Sequence, residues 1–410
     1  MLLSVTEARQ KLLADFRAVQ IIDIDIEHAT GYVLANDVKA TYDYPLFNNS
    51  SMDGFAVRAE DLQYASRENP AQLKIVEDIP AGAVPVKEIH PGEAARIMTG
   101  AVLPEGADSV IPVEDSNVNW RENQNVEMPP DVLLYRPVMP GEYIRKIGDD
   151  IRRGQIVMTR RRLRAQDIGF LAMLGIDRVK VFRRPRIAIF SSGDELTPVG
   201  TVLAPGKIYD SNSKTLLALS EKYFAEVISL GIVPDQIAEV KDTFESAVAQ
   251  NVDLVITSAG VSVGAFDYIQ KVVKENGEIK FWRVNMRPGK PLAFGRYQGV
   301  PFIGLPGNPV SAFVGFEVFV RPAILKLSGD ANLEHLTFDV ILAEAIESDG
   351  RESYLRAVVT FEEGQYSAKL TGHQGSGNLF SLVQANALLI IPSGVKSLPD
   401  GARVSAWLLD

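Results

Sequence analysis

Residues 186–327 alternate short β-branched runs with stretches of helical spacing, and this alternation constrains the fold more than any other feature of the chain. Strands are predicted at 186–190, 227–232, 253–257 and 301–305, and helices at 210–223, 242–250, 266–274 and 308–327. Such alternation is typical of a doubly wound α/β domain with a parallel sheet. Ligands of these sheets bind beyond the carboxyl ends of the strands. Glycine-rich or acidic loops follow three of those ends, at 191–196, 258–267 and 306–308.

The segment VITSAGVSVGAFD, residues 255–267, is the clearest candidate for a binding loop. It joins a strand to a helix N-terminus, where free N–H groups and the helix dipole favour an anion. The loop positions expected to contact that anion are Ser258, Gly260, Ser262 and Gly264. Asp267 stands at the mouth of the helix, and a carboxylate beside an anion suggests a divalent metal between the two. The alternative is an ordinary strand-to-helix turn.

The segments that flank this domain follow other patterns. Ser4 and Glu7 form a capping box that predicts a helix through residue 16. Short alternating runs broken by Pro and Gly predict a β-rich inserted lobe up to about residue 145. Residues 165–174 have helical spacing, and Gly175 suits the C-cap. After about residue 328 the period changes to two, which predicts a small β-barrel or sandwich.

Composition excludes several classes of function. The 410 residues include no cysteine, which removes disulfides, thiolate metal sites and a cysteine nucleophile, and four scattered histidines offer little to a catalytic triad. A net charge of −10 argues against a nucleic-acid partner. P-loop and G-x-G-x-x-G motifs are absent from the sequence. Without a signal-peptide pattern or an uninterrupted apolar span, we expect a soluble cytoplasmic protein that does not enter a membrane.

Acidic and basic side chains in turn-rich segments indicate the chemistry. The acids are Asp53, Asp108, Asp149 or Asp150, Asp194, Glu195, Asp235 and Asp267. Several carboxylates near a phosphate can hold Mg²⁺, although a turn or cap role is the more common one for any single acid. The segment RVNMRPGK supplies Arg283, Arg287 and Lys290 for phosphates or a tetrahedral oxyanion, with a solvated turn as the alternative. These residues predict an enzyme that acts on a phosphorylated or nucleotide-like anion with Mg²⁺.

Eight motifs, in a fixed order, extend over nearly the whole chain. They are PLFNNSSMDGFAV (45–57), RIMTGAVLPEGADSVIPVED (96–115), FSSGDEL (190–196), KIYDSNS (207–213), TSAGVSVGAFDY (257–268), MRPGKPLAFG (286–295), LPGNPVSAF (305–313) and TGHQGSGNL (371–379). Together they resemble the molybdopterin molybdenumtransferase family, which includes the bacterial MoeA proteins and the gephyrin E-domain.

The resemblance implies an α/β multidomain subunit with four parts. These are a central doubly wound α/β domain of the pterin-binding, MogA-like kind (1–20 and 183–328), a linking domain (21–45 and 145–182), an inserted β-rich lobe (46–144) and a C-terminal β-barrel (329–410). It further implies a homodimer with shared active sites, in which the inserted lobe of one subunit faces the α/β and barrel domains of the other.

The resemblance also implies a reaction in molybdenum cofactor biosynthesis. Molybdate is inserted into adenylylated molybdopterin, and AMP is released with Mg²⁺ as cofactor. The oxyanion is molybdate or tungstate, which have nearly the same size and charge. Further partners would be the pterin adenylyltransferase and molybdoenzyme apoproteins. Two other functions stay open: ATP-dependent adenylylation of molybdopterin, and a non-catalytic pterin-binding scaffold.

Motif by motif, the resemblance implies the site residues. The catalytic positions are Asp53, Thr99, Asp150 (with Asp149 as the neighbouring register), Glu195, Asp235 and Asp267, of which Glu195 and Asp267 would bind the metal. The substrate and oxyanion positions are Ser258, Gly260, Ser262, Gly264, Arg283, Arg287, Lys290, Pro306, Asn308, Pro309, Arg351 and Arg356. Arg283 and Arg287 stand where the family often has Lys. Ala259 replaces a common glycine, so its backbone must be helical or extended, or carry about 1 kcal/mol of strain.

Overall fold

The computed structural model describes residues 2–118, 129–258 and 266–409, with the backbone alone described at 266 and 267. The chain forms two compact units, one of Met1–Asn36 with Arg160–Asp410 and the other of Asp37–Thr159. The linking domain implied by the family resemblance has segments in both units, at 21–45 and 145–182. The four domain boundaries stay predictions.

A six-stranded sheet forms the centre of the larger unit. In sheet order the strands are Glu226–Val233, Arg186–Ser192, Leu254–Ser258, Val300–Leu305, Pro291–Tyr297 and Gly277–Arg283. The first four run parallel, as the alternating pattern predicts. The last two run antiparallel, and the sequence pattern does not indicate them. Pro291 and Gly295 interrupt the apolar run of one of these two strands, which weakens its strand signal.

Helices cover both faces of this sheet. One face packs against Val5–Ala14, Asn212–Lys222, Pro309–Gly315 and Arg321–Leu327, and the other against Ile237–Ala249 and Phe266–Asn276. Side chains along Arg186–Ser192 alternate between the two cores: Ile187 and Ile189 join the first, and Ala188 and Phe190 the second. The doubly wound α/β domain is therefore confirmed. Its first helix begins at the predicted capping box, where Ser4 and Glu7 exchange hydrogen bonds.

Residues 309–327 depart from the single helix predicted for them. A π-helical turn, Phe316–Val320, separates Pro309–Gly315 from Arg321–Leu327. Pro322 has no N–H to donate to the preceding turn, and the wider turn just before it accommodates that loss. Neither this segment nor any other helix among the described residues is long and apolar enough to span a membrane.

The C-terminal segment forms a closed five-stranded β-barrel, which decides between the barrel and the sandwich. Around the barrel the strands are Glu352–Glu362, Gln365–Leu370, Thr337–Leu342, Arg403–Leu408 and Ala387–Ile391, which pairs again with the first. Closure leaves few unpaired edges. The short strand Met286–Arg287 lies parallel to the start of Glu352–Glu362 and so joins the central domain to the barrel. Helix Phe380–Gln384 and the pair Ile346–Glu347 with Ser397–Leu398 complete this segment.

The larger unit also holds a small antiparallel sheet. Its strands are Ile21–Asp25, Arg178–Phe182 and Val33–Leu34, accompanied by the 3-10 helix Ile26–His28 and helix Ala165–Met173. The C-cap of that helix is Leu174, one residue before the predicted Gly175, whose φ of +72° is the left-handed conformation that commonly follows a C-cap. A parallel pair, Leu196–Thr197 with Ile208–Tyr209, lies beside the central sheet's acidic loop.

The smaller unit is β-rich, as predicted. Its main sheet, within the described residues, has the order Ser109–Pro112, Gly54–Val57, Glu93–Ile97, Ala71–Ile79 and Asp131–Leu134. Two further pairs are Asn49–Ser50 with Ile144–Arg145, and Val38–Lys39 with Ile156–Met158. The 3-10 helices Ala59–Leu62 and Val113–Asp115 connect parts of the sheet. Phe55, Val57 and Ile111 are fully buried in its core.

Candidate active site

A cavity of about 700 Å³ opens at the carboxyl ends of the parallel strands, where ligands of such sheets bind. Its walls come from the loop after Arg186–Ser192, the segment 287–291, the turn 306–308 and the barrel. The charged lining residues are Glu195, Asp235, Arg287, Lys290 and Arg351, and the polar ones are Ser192, Asn308, Ser311, Gln374 and Ser376. Acids and cations thus share one cavity, which suits an anion held together with a divalent cation.

The acidic side of the cavity is fixed by hydroxyl and amide donors. Ser192 Oγ donates to Asp235 Oδ1, and the Asp235 N–H donates to Asp194 Oδ1 at 3.2 Å. Ser191 Oγ donates to Asp210 Oδ1 at 2.9 Å, which ties the strand end to the start of the next helix. The predicted residues Glu195 and Asp235 both line this cavity.

Gly193 lets the Glu195 carboxylate fold back over the backbone. Its φ is +155°, a conformation that favours glycine, and a Cβ there would lie 2.6 Å from Glu195 Oε2. Any larger residue at this position would displace the carboxylate. The glycine of the FSSGDEL motif therefore provides the space that the Glu195 carboxylate occupies.

The basic side of the cavity contains two of the three cations predicted from the RVNMRPGK segment. Arg287 and Lys290 line the cavity, on either side of Pro288 and Gly289. Arg283 lies elsewhere: its guanidinium sits 4.9 Å from the Trp282 ring centroid and borders a different cavity. Arg287 ends a short strand, so the alternative of a purely solvated turn does not describe it.

Arg351 completes the basic side from the barrel. Its Nη1 donates to the Met286 carbonyl at 3.0 Å, and its Nε donates to Asp349 Oδ2 at 3.0 Å. The hydrogen bond from Arg351 lowers the pKa of the Asp349 carboxyl. This carboxylate also lies 3.8 Å from Arg287 Nη1, so one acid contacts both guanidinium groups.

Arg356, predicted to bind the substrate or oxyanion, is fully buried behind the cavity wall. It donates from Nε to Ser381 Oγ and from Nη2 to the Gly375 carbonyl, each at 3.0 Å. Burial, with a smaller contribution from the charge of Arg287, lowers its pKa to about 10. Among the described residues its Nη1 has no hydrogen-bond partner. Arg356 therefore supports the loop 374–376 from behind, and direct contact with a ligand stays a prediction.

The turn 306–308 connects the first cavity to a second one of about 300 Å³. Glu195, Ile208 and Gly307 line both. Asn212 Nδ2 donates to the Gly307 carbonyl at 2.7 Å and to Ser258 Oγ at 2.8 Å. Pro306 lines the first cavity, and Pro309 and Ser258 line the second, so these three predicted residues also converge.

Part of the predicted loop falls outside the described residues. Ala259, Gly260, Ser262 and Gly264 belong to residues 259–265, and the side chain of Asp267 is likewise not described. The described helix Phe266–Asn276 begins next to Asp267, as predicted.

Three predicted residues belong to the smaller unit. Thr99 donates both its backbone N–H and its Oγ1 to Asp53 Oδ1, each at 2.8 Å, so this predicted pair is in contact. Asp150 forms an ion pair with Arg145, and Asp149 accepts the Lys146 N–H at 2.9 Å. Both side chains are exposed, Asp149 within its own turn and Asp150 in its ion pair, so the choice between the two registers stays a prediction.

Sequence reasoning missed Asp349, Gln374, Ser376 and Asn212. Asp349 precedes Gly350, and an Asp-Gly pair is a turn signal. Ser376 and Gln374 belong to the TGHQGSGNL motif, in which the family resemblance assigns a role to no side chain. Among the described residues, no three histidine or acidic side chains converge as a metal-binding group.

Models of three protein regions match the chain in order. They are described as MoeA N-terminal region (domain I and II), Probable molybdopterin binding domain, and MoeA C-terminal region (domain IV), and they match residues 3–175, 188–326 and 339–409. A Nostoc protein described as molybdopterin molybdenumtransferase is 41% identical over an alignment of 389 residues that covers 93% of this chain and 87% of that protein. This chain belongs to the molybdopterin molybdenumtransferase (MoeA) family.

Other members of the family match over their full length. A molybdopterin molybdenumtransferase from Haemophilus influenzae is 37% identical over 413 residues, with 98% of each chain covered. The crystal structure of a molybdopterin biosynthesis moeA protein from Pyrococcus horikoshii OT3 covers 100% of both chains at 31% identity, with a TM-score of 0.83. The predicted family and fold class are both confirmed.

Proposed function

We propose that this protein is a molybdopterin molybdenumtransferase of molybdenum cofactor biosynthesis. It transfers molybdenum from molybdate to adenylylated molybdopterin and releases AMP. The observation that supports this most directly is the cavity at the sheet edge, where Glu195 and Asp235 face Arg287, Lys290 and Arg351. Such a cavity can hold a phosphorylated ligand and a tetrahedral oxyanion side by side.

In this proposal the cations of the cavity bind the oxyanion. Molybdate is a dianion, and guanidinium groups match a tetrahedral oxyanion with two parallel N–H donors. Arg287 and Arg351 supply such forks, and Lys290 supplies a point charge. Holding the oxyanion next to the pterin dithiolene converts an encounter of two molecules into a reaction within one complex.

The acids of the cavity bind Mg²⁺ together with the phosphates of the substrate. Mg²⁺ prefers oxygen ligands and commonly uses one or two carboxylates together with substrate phosphates, so it does not need a dedicated cluster. The carboxylates of Glu195 and Asp235 in this cavity fit that requirement. Glu195 and Asp267 are the proposed metal ligands, as the family resemblance implies. Mg²⁺ bound there would neutralise charge on the phosphates and on the departing AMP.

The second cavity suits the remainder of the ligand. Asp210, Asn212 and Ser258 offer polar contacts, and Leu196 and Leu379 offer apolar surface. Because the two cavities share Glu195, one extended ligand could occupy both. A homodimer, with Asp53 and Thr99 contributed by the partner's inserted lobe, and a cytoplasmic location remain part of the proposal.

The test is AMP release from adenylylated molybdopterin by the purified protein. We expect release that requires both molybdate and Mg²⁺, and Arg351→Gln should raise the KM for molybdate by about tenfold. Arg403→Gln is the matched control, because Arg403 pairs with Asp339 on an exposed part of the same barrel. ATP consumption with molybdopterin alone would instead indicate the adenylyltransferase. Tight binding of the nucleotide without turnover would indicate a scaffold.

A further inference from the structure

The turn Asp349–Gly350–Arg351 is built so that the first side chain holds the third. Gly350 has φ +84°, which glycine adopts without strain. Asp349 Oδ1 accepts the Arg351 backbone N–H at 3.1 Å. This hydrogen bond closes an Asx-turn, a conformation typical of aspartate and asparagine. The carboxylate is thereby oriented before it contacts any other side chain.

The second carboxylate oxygen then fixes the Arg351 guanidinium. Asp349 Oδ2 accepts from Arg351 Nε at 3.0 Å and also from Nη2. Arg351 Nη1 donates to the Met286 carbonyl at 3.0 Å. A guanidinium has about five N–H donors. Within the described part of the chain three of them are engaged, and one further donor on each of the two terminal nitrogens stays available to a ligand.

The same oxygen separates two positive charges. Arg287 Nη1 lies 3.8 Å from Asp349 Oδ2, so the carboxylate contacts guanidinium groups from two different segments of the chain. Both arginines line the cavity and are partly exposed. Without the carboxylate the two cations would repel each other and each would recover side-chain freedom.

We propose that Asp349 is a positioning residue for the oxyanion site: it holds Arg351, and with it Arg287, in the orientation that receives the tetrahedral substrate. The inference rests on the proposed function, because it requires that the oxyanion binds in this cavity. Asp349 itself carries a negative charge and does not touch the oxyanion; it acts through the two arginines.

Positioning and simple charge repulsion predict opposite results when Asp349 is removed. If the carboxylate merely adds a negative charge near the site, its loss should tighten binding of a dianion. If it orients the arginines, its loss should weaken binding in spite of the lost repulsion. The direction of the change therefore decides between the two.

The experiment compares molybdate and tungstate binding to the full-length wild-type protein, Asp349→Ala and Asp349→Asn by titration calorimetry, with steady-state AMP release alongside. We expect the Ala variant to raise Kd and KM for the oxyanion by about tenfold, with kcat close to wild type. The Asn variant keeps an acceptor oxygen for the turn and should recover part of that loss. Asp339→Ala, which breaks the Asp339–Arg403 pair of the same barrel, should bind like wild type.

Each outcome bears on the inference. Equal or tighter binding by Asp349→Ala, with wild-type binding intact, overturns the positioning role alone and leaves the proposed function standing. Absence of oxyanion binding to the wild-type protein overturns the cavity assignment and the inference together. Should the Ala variant fail to fold, the Asn variant decides, because a wild-type Kd and KM for Asn would show that the carboxylate charge does not hold the arginines.

Discussion

Asn308 donates its side-chain amide to Ser376 Oγ at 2.9 Å, and this bond ties the turn after a central strand to a loop of the barrel. Asn308 occupies the N-cap position predicted for it, but its side chain makes no capping bond to the described helix Pro309–Gly315. Ser376 also accepts the Val310 N–H through its carbonyl at 3.0 Å. The amide therefore serves the cavity wall and not the helix.

Replacing Asn308 with Ala should loosen Ser376 and raise the KM for the oxyanion several-fold. The lost hydrogen bond should lower the free energy of unfolding by about 1 kcal/mol. Urea unfolding and AMP release measure the two effects. Asn386→Ala is the control, since Asn386 bonds Val359 at two atoms within the same barrel. It should lose stability without a change in KM, and a raised KM in that control would contradict the explanation.

Asp53→Ala should abolish turnover while the assembly state is retained. Asp53 Oδ1 accepts two bonds from Thr99, so the carboxylate is held in one orientation. Thr99→Val removes the hydroxyl donor but keeps the backbone one, and a smaller loss is expected. AMP release and size-exclusion chromatography with light scattering are the measurements. Asp61→Ala, in the same unit, removes a bond to the Gly92 N–H and should keep full activity; an active Asp53→Ala would remove Asp53 from the site.

Hydrophobic pattern predicts the parallel strands because each is a short apolar run between turn residues, as in Leu254–Ser258, whose residues are all buried. The antiparallel strand Pro291–Tyr297 escapes prediction because its pattern is mixed. The helix predicted over 308–327 is interrupted by the π-helical turn before Pro322. The sequence shows that Pro322 lacks an N–H, but it does not show how the buried turn before it adjusts to that loss.

The sequence likewise predicts one part of the candidate site and not the other. Glu195 and Asn308 lie on loops that directly follow parallel strands, so sheet topology alone brings them to one edge. Arg351 and Ser376 belong to the barrel. Their position in the cavity depends on the pairing of Met286–Arg287 with Glu352–Glu362. The spacing of residues in the sequence does not predict such tertiary pairing. Arg283, for example, is close to Arg287 in sequence but lines another cavity.

The Asp349–Arg351 contact should make stability depend on pH in the acid range. Arg351 lowers the pKa of Asp349 below its ordinary value of 3.8, so the folded state binds this proton less tightly than the unfolded state. The contribution is therefore complete above about pH 5 and is lost as pH falls through the folded-state pKa. Urea unfolding of wild type and Asp349→Asn should show a constant difference at neutral pH that shrinks below pH 3.8. A difference that persists unchanged at pH 3 would count against the ion pair.

Gly193→Ala should impair Mg²⁺ use without unfolding the protein. The added Cβ would lie 2.6 Å from Glu195 Oε2 and would push the carboxylate out of place. We expect the Mg²⁺ concentration for half-maximal AMP release to rise by about tenfold, and Glu195→Gln should produce a similar rise. Gly200→Ala is the control, because Gly200 also has a positive φ and none of the described residues has an atom within 4 Å of the added carbon. Normal Mg²⁺ dependence of Gly193→Ala and Glu195→Gln would move the metal site away from this loop.

Tyr223→Phe should lower stability while catalysis is unaffected. Glu317, 3% exposed in the π-helical turn, accepts the Tyr223 hydroxyl at 3.1 Å and lies 3.2 Å from His335 Nε2. Removing the hydroxyl leaves a buried carboxylate with one donor fewer, which costs about 1.5–3 kcal/mol. Urea unfolding measures this loss, and Tyr366→Phe, at a half-exposed ring of the barrel, should change stability by less than about 0.5 kcal/mol. Equal losses in the two variants would mean that the Glu317 contact contributes nothing specific, because both substitutions remove the same hydroxyl from an aromatic ring.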